Sequence, residues 1–589
     1  MMDDRSVPSN IAALSQAGPI NTSAWQVLMK FVRNLTLFHT PDREAYATGV
    51  MEAHRETWLI SGKPFRMALT RQFVRDQAKA PPTQVLNEML QALEAQAFGK
   101  NEQPVFYRVA SWGNATYLDL ADSGGRVVEI TADERRIVPN GRVSFVRSGR
   151  SHALPPPTFG GTLDPLRALL NLGSEEDWQL LVGWLIGACR AVGPYPILVL
   201  QGEQGTAKST VAKILKSLID PSPALIRTAP RNEQDLLIAT RHAHVLAFDN
   251  LSGMPCWLSD AFCRLATGGA FATRKLFTDG DEIIFQAQRP VILNGIDDLL
   301  IRHDLIDRAI VLTLPPIPES ARRQEQAIWK EVDAMRPILL GSLLTAVQCA
   351  TAHLDRVVLR TPPRMADFAA WVTAAEPALH WEPGTFLRVY GRNREEAIEL
   401  GFDASPIASP LRDLLQRTPV MSQTATELLE LIRSTMTEAE QRARSMPQSP
   451  QELSKHLTRL ASALRSIGIE VLGHRQGGTG QRLITITSRT ESDVTVVTPV
   501  TSVLSADHSK PSESVVTAMC DEGDTCDTSP QGQPGQGHPL QIEGMGRLRR
   551  EAVGRCTDCD ELTSFAYNGV RVCGTHARLR AQVPPDPQK

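Results

Sequence analysis

Apolar residues recur at helical spacing early in the chain, at Trp25, Leu28, Met29 and Val32, and residues 65–74 repeat the same amphipathic period. From residue 105 to 145 the period drops to two: runs at 105–109, 116–120 and 126–130 alternate, and Asp122, Ser123, Gly124 and Gly125 supply a turn between the last two. This predicts a small β-meander closing an α/β N-terminal region, 21–153, after a flexible tail at 1–20. Leu154 and the three prolines that follow read as a stiff linker. Ser174, three residues before Asp177, reads as the N-cap of a helix entering the apolar run 180–192.

Residues 196–200, 244–249, 290–294 and 309–314 are short, almost wholly apolar runs, as expected of strands buried on both faces. With the preceding helices they predict an α/β core over 158–315. The pattern is then helical over 316–401, and 405–410 marks a joint. Residues 422–487 offer two helices, 424–432 and 450–467, and a terminal strand pair, the pattern of a winged-helix module. Residues 488–545 are rich in Ser, Thr, Asp, Gly and Pro with few large apolar groups, so burial there cannot offset the entropy of ordering. A compact tail, 546–580, follows.

Length and charge narrow the classes. A chain of 589 residues is too long for one core, and a formal net charge of −3 leaves any nucleic-acid contact to local patches. The N-terminus lacks a signal-peptide pattern, and residues 180–189, the most apolar stretch, make about half a membrane span. A cytoplasmic protein without membrane contact is expected. Of nine cysteines, Cys189, Cys256, Cys263 and Cys349 are scattered and read as small buried hydrophobes. Cys556 and Cys559, then Cys573 and His576, form two short ligand pairs suited to tetrahedral zinc.

The chemistry concentrates after the first apolar strand. Gly202, Glu203, Gln204, Gly205, Thr206, Ala207, Lys208, Ser209 and Thr210 stand between that strand and a helical run, the context a phosphate-binding loop requires. Glycines turn backbone N–H groups onto phosphates, Lys208 reaches the β- and γ-phosphates of ATP, and Ser209 ligates magnesium. Ala207 stands where a second glycine is usual, tolerable if its φ stays negative. Asp249 ends the second strand as a carboxylate placed to hold the hydrated magnesium. Asn294 ends the third as an amide suited to positioning water, and Arg302 and Arg308 precede the fourth. For Arg308 a local ion pair to Asp304 or Asp307 is the competing reading.

Residues 202–314 resemble superfamily 3 helicases and the helicase halves of phage and poxvirus primase-helicases, which are AAA+-like ring ATPases. The resemblance is carried by the loop and by Asp249, Asn250, Leu251 and Ser252, then 265–269 and 274–281. A looser similarity to bacterial mobile-element ATP-binding proteins covers about 25–480. It implies that Lys208, Ser209, Asp249, Asn294 and Arg308 act as phosphate clamp, magnesium ligand, Walker B acid, sensor and trans-acting arginine finger, in a homo-oligomeric ring, by analogy a hexamer. Asn250 departs from the pattern, because an amide cannot accept the proton that a glutamate there would take; Glu203 and Asp260 are the remaining general-base candidates.

Residues 275–278 and 282–285, flanking Asp279, Gly280 and Asp281, read as a hairpin resembling the pore hairpin of those rings, with Arg274 and Lys275 as its cations for single-stranded DNA. Lys455, Arg459, Arg475 and Arg482 place further cations on the winged-helix module. The expectation is an ATP-driven DNA helicase or translocase of a phage or mobile element. The alternative is a non-translocating NTPase switch, in regulation or phage defence, recruiting partners through the winged helix and zinc tail.

Overall fold

The computed structural model describes residues 22–50, 54–139, 142–147, 151–251, 254–274, 282–295, 303–403, 405–442, 446–466, 468–475, 481–488, 548–555, 562–567 and 570–571. The chain divides into two compact units, 1–505 and 506–589. The zinc-ligand candidates Cys556, Cys559, Cys573 and His576, together with Lys275, Arg302 and the hairpin tip 279–281, lie outside the described residues. Of the second unit, β17 (Leu548–Arg555), β18 (Leu562–Tyr567) and β19 (Val570–Arg571) form a three-stranded sheet.

The first unit opens with α1 (Thr22–Val32), the sheet β1 (Thr36–His39), β2 (Ala45–Val50) and β3 (Arg55–Leu59), then α2 (Lys63–Gln77) and α3 (Thr83–Phe98). The apolar stripe of α1 and the buried residues of α2 and α3 share one core with the strands. The antiparallel meander β4 (Val109–Trp112), β5 (Ala115–Asp119), β6 (Arg126–Ile130) and β7 (Arg135–Pro139) follows. Its first strand starts where the run at 105–109 was expected to end, since Phe106 makes only an isolated bridge to Phe145. The segment read as a linker is packed: Leu154 is buried and donates its N–H to the Leu120 carbonyl at 2.8 Å. One hydrophobic core therefore runs from Val109, Leu118 and Val128 through Leu154 into the elements beyond.

Those elements are α4 (Asp164–Arg167), α5 (Glu175–Ala188), β8 (Ile197–Gln201), α6 (Lys208–Ile219), α7 (Glu233–Thr240), β9 (Leu246–Leu251), α8 (Cys256–Thr267), the pair β10 (Ala270–Arg274) and β11 (Glu282–Gln286), β12 (Val291–Gly295), α9 (His303–Ile306) and β13 (Ala309–Thr313). Ser174 caps α5, accepting from the Asp177 N–H at 3.0 Å. Strands β13, β8, β12 and β9 lie side by side in that order, all parallel, so β12 separates two strands that precede it in sequence. Ligands of such sheets gather outside the carboxyl ends of the strands. The hairpin strand expected at 275–278 lies outside the described residues; within them Ala270–Arg274 pairs antiparallel with Glu282–Gln286, Arg274 in register with Glu282.

Helices α10 (Glu325–His353), α11 (Ala366–Ala375) and α12 (Thr385–Asp403) cover the core. By length and composition α10 could cross a bilayer, but half of its most apolar window is buried within the protein, as a core helix requires. A Cβ on Gly341 would stand 1.9 Å from the Thr158 carbonyl oxygen, so only glycine lets α10 pass the 154–160 segment backbone against backbone. Then come α13 (Ala408–Arg417), β14 (Val420–Thr424), α14 (Ala425–Ser434), α15 (Glu438–Gln441), α16 (Pro450–Ser466), β15 (Ile469–Arg475) and β16 (Arg482–Ser488). Thr424 and Glu427 form a capping box on α14. The sheet of this segment has the order β14-β16-β15, one strand more than the pair expected. Among the scattered cysteines, Cys189 and Cys263 are buried as expected, whereas Cys256 is exposed at the start of α8 and Cys349 is half-buried, with Sγ 3.3 Å from His353 Nδ1.

A buried charge cluster ties the meander to the base of α6. Asp220 accepts from the backbone N–H groups of His244 (2.8 Å) and Val245 (3.1 Å) and lies 3.6 Å from Lys216 and 3.3 Å from Arg108. Arg108 also donates to the carbonyls of Asp119 and His152, at 3.0 and 2.9 Å. Burial alone would raise the Asp220 carboxyl, but Lys216 and Arg108 hold it down at about 2. Burial pushes the His244 imidazole down to about 4, and its Nε2 meets the Ala188 carbonyl at 2.7 Å.

The folded value of His244 is below its unfolded 6.5, so its contribution to stability is whole above pH 6.5 and is lost as pH falls toward 4. The difference sets a ceiling of about 3 kcal/mol for this group. Burial raises the Glu376 carboxyl to about 7, which acts in the opposite sense over the same range, so the His244 contribution is read as a difference. The stability of the wild type relative to His244→Gln in denaturant unfolding should fall between pH 7 and 5. Equal acid sensitivity in both proteins would assign the effect to other groups.

Candidate functional site

Strand β8 delivers the chain to the loop, and the loop's backbone is bent where glycine permits it: φ is +135° at Gly202 and +89° at Gly205. Ala207 departs from the expectation of a negative φ. It takes φ +66° and ψ +22° as the residue before α6, a left-handed conformation that costs an alanine on the order of 1 kcal/mol. Its methyl group cannot cap the helix, and among the described residues no side-chain cap bond is made at the start of α6. The first-turn N–H groups of α6 thus keep both their donors and the positive end of the helix dipole for an anion.

Lys208 bends back over the loop. Its Nζ donates to the carbonyls of Gly202 (2.6 Å) and Glu203 (2.7 Å), and Thr206, fully buried, donates to Glu203 at 3.0 Å. The ammonium is held at the centre of the loop by the loop's own oxygens.

Three side chains from three elements converge beside it. Ser209 Oγ donates to Asp249 Oδ1 at 3.1 Å, and the Asn294 amide donates to Ser209 Oγ at 3.0 Å and to Asp249 Oδ1 at 2.5 Å. Asp249 Oδ1 also accepts from the Asn250 N–H at 2.9 Å. The topology produces this meeting: β12 lies between β8 and β9, with Asn294 opposite Leu200 and Leu293 opposite Phe248. Strand β9 runs on past Asp249 to Leu251, with an irregular register to β12 and φ +54° at Asn250. Asn294 is 2% exposed, so its amide is fixed by packing as well as by hydrogen bonds. Ser209 and Asp249 offer an all-oxygen set, which suits a hard cation such as magnesium.

Two residues unmarked by any motif complete the surroundings. Asn171 Nδ2 donates to the Thr206 carbonyl at 3.1 Å and to the Pro315 carbonyl at 2.6 Å, tying the loop to the segment after β13. Arg322 Nη2 stands 3.9 Å from where a Cβ on Gly205 would lie, which puts a second cation beside the loop. Glu203 and Asp260, the general-base candidates, are both exposed, on the loop and on α8.

Arg308 is at the far end of the sheet. Ala309 pairs with Ile197 and Thr313 with Gln201, so about 13 Å of strand separates its level from the end of β8. It carries the local pairing, donating to the Asp304 carbonyl at 2.6 Å and lying 3.6 Å from that residue's carboxylate. Lys455 and Arg459 are exposed on α16, and Arg475 and Arg482 are exposed and directly opposite each other on β15 and β16. Like charges held in that register repel, a cost that an anionic partner would relieve.

Fold and site together define a mixed α/β protein with a phosphate-loop motif at the carboxyl edge of a parallel sheet. Residues 163–382 match the family model of the actinomycete integrative conjugative element replication protein, RepA, and residues 407–502 match the model of the RepA C-terminal domain. The two matches lie in order along the chain and mark it as a replication protein of a mobile element. No curated protein matches it in sequence. Among solved structures, the A form apo structure of the NrS-1 C-terminal region has a TM-score of 0.36 and 9% identity, covering 79% of this chain and 99% of that one. An apo structure of the same region has a TM-score of 0.35 and 11% identity, covering 78% and 98%.

Proposed function

We propose that this replication protein is an ATP-hydrolysing, AAA+-like motor that moves on or unwinds DNA of its mobile element in the cytoplasm. The observation that carries the reading is the meeting of Ser209, Asp249 and Asn294 beside a lysine-centred glycine loop and an uncapped helix N-terminus. Lys208 and the first amides of α6 bind the phosphates, Ser209 and Asp249 would hold magnesium, and Asn294 positions the attacking water. Magnesium, when bound, neutralises charge on the β- and γ-phosphate oxygens. Arg308 cannot reach its own loop, which supports a ring in which it serves a neighbour. The 422–487 segment acts as a winged helix whose Lys455, Arg459, Arg475 and Arg482 contact the DNA backbone.

Coupling to DNA is the direct test. Single-stranded DNA should stimulate ATP hydrolysis, and Arg274→Ala with Lys275→Ala should reduce that stimulation while removing residues 488–589 leaves it largely intact. The double substitution should also flatten the salt dependence of binding, by about 0.7 in log–log slope per lost phosphate contact. Stimulation abolished by the tail deletion and untouched by the double substitution would move the DNA contact to the tail. No stimulation by DNA or RNA at low salt would make the protein an NTPase switch.

The tail carries a further part of the proposal, with Cys556, Cys559, Cys573 and His576 binding one zinc ion. Elemental analysis should find about one zinc per chain, lost on Cys559→Ser. A metal-free protein with a protease-resistant tail would refute the site.

A further inference from the structure

The helical cover of the core contains an arginine-lined cleft of about 520 Å³, formed by the 358–363 segment and one face of α12. Four guanidinium groups line it. Arg392 pairs with Glu176 at 2.6 Å and Arg394 with Asp307 at 3.1 Å, whereas among the described residues Arg360 and Arg388 form no ion pair and both are exposed. Glu395 is the one carboxylate in the lining. Val358, Leu359, Pro362 and Leu387 supply apolar lining beside the charges.

Two buried polar atoms of the lining residues, the Tyr390 hydroxyl and Arg394 Nε, have no hydrogen-bond partner among the described residues. Buried donors left unmade are rare in folded proteins and ask for an explanation. The tyrosine cannot turn away to find one, because its ring stacks on Phe386 with centroids 5.5 Å apart and meets Phe368 edge-on. No lining residue belongs to the phosphate loop.

We infer that this cleft is a second anion site that takes a nucleotide unit, with Arg360 and Arg388 on its phosphate and the apolar lining against its sugar and base. The volume lies in the range of small-ligand pockets, and guanidinium forks match phosphate oxygens. The unit is either a free nucleotide or part of a single strand, since both present the same phosphate chemistry. In the ring proposed above, occupancy would also be felt where Arg308 serves its neighbour. Asp307, gripped by Arg394 and by Arg364 at 2.8 Å, immediately precedes Arg308, so an anion competing for Arg394 loosens the anchor of that arginine. The inference does not depend on the loop hydrolysing ATP.

The experiment uses the full chain, with fluorescence anisotropy on a labelled oligo-dT and calorimetric titration with ADP. If a strand is the source, Arg360→Ala with Arg388→Ala should weaken oligo-dT binding at least tenfold and lower its log–log salt slope by about 1.4. Arg360→Lys with Arg388→Lys should keep most of that slope, because charge is conserved, while losing affinity with the bidentate geometry. If a free nucleotide is the source, two equivalents of ADP should bind and the double alanine variant should retain one. Lys208→Ala reports on the phosphate loop separately, through the other ADP equivalent. Oligo-dT affinity and ADP stoichiometry both unchanged in the double alanine variant would overturn the site.

Discussion

Lys208→Ala should reduce ATP turnover by two to three orders of magnitude or more, the scale on which removal of one preorganised charge from a transition state is felt, roughly 10²–10³-fold. The structure gives this loss a clean reading. Among the described residues the Lys208 ammonium bonds only to Gly202, Glu203 and Thr206, and Thr206 keeps its own bond to Glu203, so the loop stays closed without it. The thermal midpoint should stay within the few degrees that about 0.5 kcal/mol allows. Asp249→Asn should reach a similar loss by another route, exchanging the carboxylate beside Ser209 for an amide that cannot hold a cation's water shell. Steady-state phosphate release from purified protein measures both. Undiminished turnover in Lys208→Ala would remove the ATPase reading, and a silent Asp249→Asn would move the magnesium-binding acid elsewhere.

What was legible in the sequence is what is local. The glycine spacing between an apolar strand and an amphipathic helix specifies the loop within nine residues, and Ser174 with Asp177 specifies a cap within four. Asp249 and Asn294 were identifiable because each ends an apolar run, although nothing local states that β12 lies between β8 and β9. Long-range partners leave no periodic trace. Arg108 meets Asp220 across 112 positions, and Asn171 reaches Pro315 across 144. The β1–β3 sheet was unreadable for another reason: β2 is built from Ala, Tyr, Thr, Gly and Val and lacks a strong alternation. Ala207 shows the limit of residue-type reasoning, since its left-handed backbone is imposed by the turn into α6 against the residue's own preference.

Arg308 carries the second large expectation. It lies at the amino end of β13 while the phosphate loop lies beyond the carboxyl end of β8, so a catalytic role is possible only toward another subunit. Its guanidinium is 15% exposed and its Nε is buried without a hydrogen-bond partner among the described residues, so the group is held by Asp304 through its outer nitrogen. Arg308→Ala should then lose most turnover while keeping ATP affinity, because the loop is untouched. Mixing it with Lys208→Ala protein should restore activity that neither has alone. In a randomly mixed ring at equal amounts, about one interface in four joins an intact Arg308 to an intact loop, so recovery should approach roughly a quarter of the wild-type rate if interfaces act independently. The recovery should vanish when the two proteins are kept too dilute to exchange subunits. Arg308→Ala that is inactive and never rescued by mixing would place the residue's role inside its own subunit, in holding the α9 turn through Asp304. Full activity of Arg308→Ala alone would remove it from the catalytic set.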